Sequence, residues 1–192
     1  MKKGEIYEGR VQEVLFPDKA IVVTDEGETA QVKYGIPGQK LRFRVKKKRK
    51  EKIEGILLEI LEKSADETAC LCEWAGKCGG CLYQTLPYEK QLAIKEAQIK
   101  KMLDNGGTDY TFEGIVSSPV VSGYRNKVEL TFGDSYMGGP LALGMHQRGS
   151  FYDIVSVSDC QIVDEDYRKI LVMTQEHFKD CSFYHRLRHE GF

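Results

Sequence analysis

The sequence predicts a small β-barrel followed by an α+β region, on three observations. The first 62 residues hold five short runs of strand composition separated by turn signals. A loop bearing closely spaced cysteines then interrupts the strand pattern. One long helical period and further strands make up the remainder. Domains are therefore expected at residues 1–62 and 63–192.

Within the first domain, residues 5–14 alternate loosely between apolar and polar, and residues 19–24 form a β-branched run. Asp25, Glu26 and Gly27 supply a turn before residues 28–34 alternate again. Gly35, Pro37 and Gly38 break the chain ahead of a fourth strand at 40–45, and the fifth lies at 53–61. Five short strands in so few residues suit a closed or half-closed barrel of the oligonucleotide-binding type. Lys46, Lys47, Lys48, Arg49 and Lys50, with Lys52 beyond, fall where the last two strands would join. Such a run reads either as a solvated hairpin tip or as an edge that binds the phosphates of an RNA.

The second domain opens with the cysteine loop, residues 63–83. A helix is predicted over 87–105, with Pro87 in its first turn and Gly106-Gly107 at its end. Tyr88, Leu92, Ile99 and Leu103 recur at helical spacing and read as a packing stripe. Strands are expected at 111–117, 126–132, 141–146 and 152–157, a turn at 133–140, and a helix at 164–178. Arg125 and Lys127 flank Asn126 at a strand start, where two cations would hold phosphate or a splayed base, or simply pair with surface carboxylates. His146 and Arg148 precede a turn at Gly149 and are candidate RNA contacts of the same kind. His177, Cys181, His185 and His189 share a helical spacing near the end of the sequence, and that spacing is read as carrying no site.

Composition narrows the function classes. Hydrophobic residues make up 41% of the 192, enough for a buried core rather than a disordered chain. The net charge of −1 selects no partner. Its distribution is more telling, because residues 1–63 carry 15 basic against 11 acidic side chains while the rest carries 13 against 18. No apolar run approaches the roughly 20 residues of a membrane span, and the first residues lack a signal-peptide core. A soluble, cytoplasmic, monomeric protein is expected. Thiols stay reduced in that compartment, so six cysteines point to metal or catalysis before disulfides.

Cys72, Cys78 and Cys81 form a C-x5-C-x2-C segment, and Cys160 follows 79 residues later. Four thiolates complete the ligand set of a 4Fe–4S cluster or of a structural zinc ion. Zinc sites generally use two short pairs, and here only Cys78 and Cys81 form one. A set using Cys70 in place of Cys160 is possible but cramped, and ordinary buried thiols are the third alternative. Gly79 and Gly80 allow a tight turn that points backbone N–H groups at sulfur. Trp74, between two of the cysteines, is read as a shield against water before a stacking platform.

The segment Cys78-Gly79-Gly80-Cys81-Leu82-Tyr83-Gln84, with Tyr88, Gln91, Leu92 and Lys95 following, resembles the bacterial RNA uracil-5-methyltransferases that carry an N-terminal TRAM domain. The likeness continues at Gly123-Tyr124-Arg125-Asn126-Lys127, at Leu143-Gly144-Met145-His146 and at Asp159-Cys160, and so covers the whole chain. The resemblance implies that residues 1–62 are a TRAM barrel and that Cys72, Cys78, Cys81 and Cys160 hold a 4Fe–4S cluster. That cluster would be structural or an aid to RNA recognition rather than a redox centre. It further implies an RNA partner, 23S ribosomal RNA before transfer RNA. S-adenosylmethionine would be bound by a doubly wound C-terminal domain that also supplies a cysteine nucleophile for uracil C6 and a base for the C5 proton. The sequence shows no glycine-rich fingerprint for that cofactor, and it stops at His189-Glu190-Gly191-Phe192. The chain alone is therefore expected to be inactive, the methyltransferase domain being absent. The alternative is a stand-alone, non-enzymatic RNA-binding module built on an iron–sulfur or zinc centre.

Overall fold

The computed structural model describes residues 1–50 and 52–181. Its chain divides into two compact units, Met1–Thr68 with Thr85–Ser117, and Ala69–Gln84 with the chain from Ser118 onward. This division does not follow a single cut after residue 62, because the first helix belongs to the barrel's unit.

Five strands build the first unit: β1 (Ile6–Leu15), β2 (Lys19–Val23), β3 (Thr29–Lys33), β4 (Lys40–Arg49) and β5 (Lys52–Glu62). They pair in the order β1-β2-β3-β5-β4, and β4 returns antiparallel to β1, which closes the barrel. The β3–β5 seam is parallel and rests on two residue pairs, Gln31 with Glu54 and Val32 with Gly55. The alternation read from the sequence sends Ala20, Val22, Val32, Leu41, Phe43 and Val45 inward, where all are buried. Gly55 sits where a β-carbon would lie 2.6 Å from the Phe43 ring, so the seam can close only around a residue without one.

The basic run departs from expectation. Lys46, Lys47, Lys48 and Arg49 continue β4, paired with β5 as far as Arg49 opposite Lys52, and only Lys50 occupies the turn, with φ 49°. Strand pairing with the long β5 extends β4 past the last inward residue, Val45. Helix α1 (Tyr88–Asn105) takes Pro87 as its N-cap rather than within its first turn. The helix lies on the barrel through a buried hydrogen bond from Gln98 Nε2 to the Val14 carbonyl, 3.1 Å, and a Lys101–Glu13 ion pair. The expected packing stripe is not buried: Ile99 and Leu103 each remain 40% exposed, because the buried position of the helix is the polar Gln98.

In the second unit, β6 (Thr131–Asp134), β7 (Leu141–His146) and β8 (Ile154–Val155) form a three-stranded sheet in that order. Residues 111–117, which belong to the first unit, form no strand, the strand expected at 126–132 is displaced to β6 and takes in Gly133 and Asp134 of the expected turn, and the strand expected at 152–157 shortens to β8. Helix α2 (Glu165–Phe178) is capped by Asp164, whose carboxylate accepts from the Asp166 N–H at 2.9 Å. Its Leu171 joins Leu143, Val155 and Val157 in the unit's core, with Trp74, Cys78 and Cys160 against it. Among the described residues no helix is long and apolar enough to cross a membrane. His185, His189 and the end of the sequence at residues 189–192 lie outside the described residues.

Candidate metal centre

The cysteine loop is shaped by its own backbone first. Ala75 N–H donates to the Cys72 carbonyl, and Lys77 and Cys78 both donate to the Trp74 carbonyl, at 2.9–3.1 Å. These bonds wind residues 72–78 into tight turns, and Gly76, with φ 87°, lets the chain reverse. The loop is then sewn to the end of β7. Cys78 bridges Gln147, Gly79 N–H reaches the His146 carbonyl at 2.9 Å, and Arg148 N–H reaches the Lys77 carbonyl at 2.7 Å. The Arg148 side chain completes the clasp, with Nε on the Cys78 carbonyl at 3.1 Å and a terminal nitrogen on the Cys81 carbonyl.

Cys160 arrives from the other side of the unit, in a turn where its N–H donates to Val157 and its carbonyl accepts from Val163. Cys72, Cys78, Cys81 and Cys160 thereby line one cavity, whose other walls include Val128, Leu130, Met145, Val157, Ile162 and Leu171. Cys70 and Cys181 do not line it. All six cysteines are free of disulfides. Two sulfurs already receive backbone donors: Gly80 N–H lies 3.3 Å from the Cys78 sulfur, and the Trp74 backbone N–H donates to Cys72. The Gly80 contact is the N–H to sulfur geometry expected of the Gly-Gly pair.

Burial in this apolar setting, followed by the neighbouring Cys160 and Cys78, pushes the Cys81 thiol up to about 11, while Arg125 pulls the other way. Burial also raises Cys72, against the lowering effect of its Trp74 hydrogen bond. Such thiols remain protonated until a cation displaces their protons. Among the described residues, no three His, Cys, Asp or Glu side chains converge tightly enough to hold one metal ion. The four sulfurs line one apolar cavity, and four thiols are a donor set that suits either an iron–sulfur cluster or a zinc ion. The buried N–H groups of Trp74 and Arg168, both on the cavity wall and without a partner among the described residues, fit a group carrying acceptor atoms.

The residues predicted to touch RNA fall into two sets. Lys46, Lys47, Arg49 and Lys50 form no ion pair among the described residues, and Lys48 Nζ donates to the Met1 carbonyl at 2.9 Å. Lys127 is 80% exposed and paired with Glu129, and His146 stacks on the exposed Phe151 ring at 5.8 Å. Arg125 and Arg148 are placed differently. Arg125 lines the cysteine cavity and its backbone bridges Val163, while Arg148 holds the loop carbonyls. The Arg148 clasp and the place of Arg168 on the cavity wall were not legible in the sequence. An arginine beside a turn, or on a helix, reads as a solvated side chain until the fold brings a loop to it.

No family model matches the chain. Over 195 aligned residues and its entire length it is 42% identical to an uncharacterized RNA methyltransferase of Clostridium tetani. It is 43% identical to another from Caldanaerobacter subterraneus subsp. tengcongensis. The alignments cover 42% and 43% of those relatives, so the chain spans less than half of their length. Among solved structures it resembles the Pyrococcus abyssi tRNA (uracil-54, C5)-methyltransferase in complex with S-adenosyl-L-homocysteine. The TM-score is 0.58 at 20% identity, over 91% of this chain and 37% of that one, a likeness of fold. The chain is thus similar from end to end to bacterial proteins named as RNA methyltransferases, and its fold recurs in a tRNA uracil-5 methyltransferase.

Proposed function

We propose that this chain is the RNA-binding and iron–sulfur portion of an S-adenosylmethionine-dependent RNA (uracil-5-)-methyltransferase, with the methyl transfer performed by residues beyond this sequence. The observation that carries the proposal is the meeting of Cys72, Cys78, Cys81 and Cys160, remote in sequence, on one apolar cavity. Those four thiolates would hold a 4Fe–4S cluster, which supplies cross-linking of the loop at 72–81 to the turn at Cys160. S-adenosylmethionine supplies the methyl group when the complete enzyme binds it.

The barrel is read as a TRAM-like module. One end of its β1–β4–β5 surface is self-neutralised, with Arg42 held by Glu8 and Glu59 and Arg10 by Glu62. The other end of β4 presents Lys46, Lys47, Arg49 and Lys50 without carboxylate partners among the described residues. That segregation suits the phosphates of a structured RNA. Lys127 and the stacked His146 and Phe151 offer further contacts on the second unit.

Iron and acid-labile sulfide are expected in near-equal, stoichiometric amounts after anaerobic purification. A colourless protein with one zinc per chain would defeat the cluster. Ribosomal and transfer RNA present the same chemistry, and mapping 5-methyluridine in both from cells lacking the gene separates them. Unchanged 5-methyluridine in every RNA would defeat the methyltransferase reading.

A further inference from the structure

The cysteine cavity contains donors that the thiols themselves do not use. Trp74 and Arg168 both line it, and each keeps one buried N–H, indole Nε1 and guanidinium Nε, without a hydrogen-bond partner among the described residues. A buried donor left unpaired is costly, and folds rarely retain one unless a bound group supplies the acceptor. Arg168 forms no ion pair among the described residues, although its neighbours on α2, Lys169 and Glu165, pair with each other. A half-buried cation beside a mostly apolar cavity with no carboxylate partner is the arrangement expected opposite an anionic group. Lys77 lies over the Trp74 ring, 5.9 Å from its centroid, and helps fix the indole in place. Asp159 also has a buried oxygen without a partner among the described residues, but it does not line the cavity.

Resting on the cluster reading above, we propose that Trp74 Nε1–H and Arg168 Nε–H are the side-chain donors to the 4Fe–4S cluster, and that with the Arg168 charge they set its reduction potential. Hydrogen bonds to cluster sulfur and nearby positive charge both favour the more negative, reduced form. Backbone N–H groups reach Cys72 and Cys78, and the two side chains extend this donor shell within the cavity. They are positioning and tuning residues, not ligands, so their loss alters the potential without removing iron.

The test uses the anaerobically purified chain and its Trp74→Phe, Arg168→Gln and Arg168→Lys variants. Iron and sulfide per chain are measured first, then the midpoint potential by a dithionite titration followed by electron paramagnetic resonance. Trp74→Phe keeps the ring and removes the N–H. It is expected to lower the reduced-to-oxidised ratio at a fixed potential about tenfold, or about 59 mV for a one-electron couple. Arg168→Gln is expected to do at least as much, and Arg168→Lys to recover the part due to charge. Should Arg168→Gln fail to fold by circular dichroism, Trp74→Phe and Arg168→Lys still decide. A wild-type chain that carries the cluster, with midpoints unmoved in Trp74→Phe and the Arg168 variants, overturns this inference and leaves the cluster standing. A wild-type chain without iron and sulfide overturns both.

Discussion

Cys160 lies 79 residues beyond Cys81 in the sequence yet faces the same cavity, whereas Cys70 lies two residues from Cys72 and does not. Cys160→Ser is therefore expected to lose most of the bound iron, and Cys70→Ser to retain it, as read by iron analysis and visible absorbance. The opposite pattern would reassign the ligand set. The same burial predicts a pH response in the metal-free chain. The Cys81 thiol is raised to about 11, so the folded state keeps its proton where the unfolded state has already lost it. The unfolded state binds fewer protons between the ordinary thiol value of 9.0 and about 11, and stability falls as pH rises through that window. Urea midpoints measured across it should decline for wild type and flatten for Cys81→Ser. Spacing offered Cys72, Cys78 and Cys81 with either Cys160 or Cys70, and the family resemblance implied Cys160. Neither could assign Arg148, which the fold turns toward the Cys78 and Cys81 carbonyls.

The strands carry two further expectations. β4 extends beyond the barrel core, from Val45 to Arg49, so its cations stand on a paired strand instead of a free loop. Replacing Lys46, Lys47, Arg49 and Lys50 with Gln should weaken RNA binding. It should also reduce the slope of log affinity against log salt by roughly three to four, at about 0.7–0.9 for each phosphate no longer neutralised. An unchanged slope would return these side chains to plain solvation. In the second unit β7 and β8 approach so closely that a β-carbon on Gly144 would lie 1.9 Å from the Val155 carbonyl oxygen. Gly144→Ala is expected to destabilise the chain by about 1–3 kcal/mol or more, seen as a lower urea midpoint. The barrel strands were legible because a period of two marks a strand buried on one face. The irregular stretch at 111–117 looked the same locally, but it has no partner strand among the described residues, and partners are not encoded in local pattern. The stripe on α1 misled for a related reason: helical spacing shows which residues share a face, not whether that face is covered.

For the whole molecule, the sequence itself determined the order of structure, a barrel, a cysteine loop, a helix and a mixed α+β unit. It did so because turn residues, side-chain periodicity and thiol spacing are local properties of the chain. Its end-to-end similarity to proteins named as RNA methyltransferases is likewise a property of sequence. A methyl-transfer assay with labelled S-adenosylmethionine and unmodified RNA should find no activity in these 192 residues, while RNA binding persists. Activity in the chain alone would place the chemistry within it. Tertiary structure decided the rest. Only the folded chain shows that α1 belongs with the barrel and that Cys160 joins the loop at 72–81. The same is true of the basic end of β4 and of the buried Trp74 and Arg168 donors at the thiol cavity, which have no partners among the described residues. These are relations between residues far apart in sequence, fixed by which buried surfaces and hydrogen-bonding groups find partners on folding, and no local pattern carries that information.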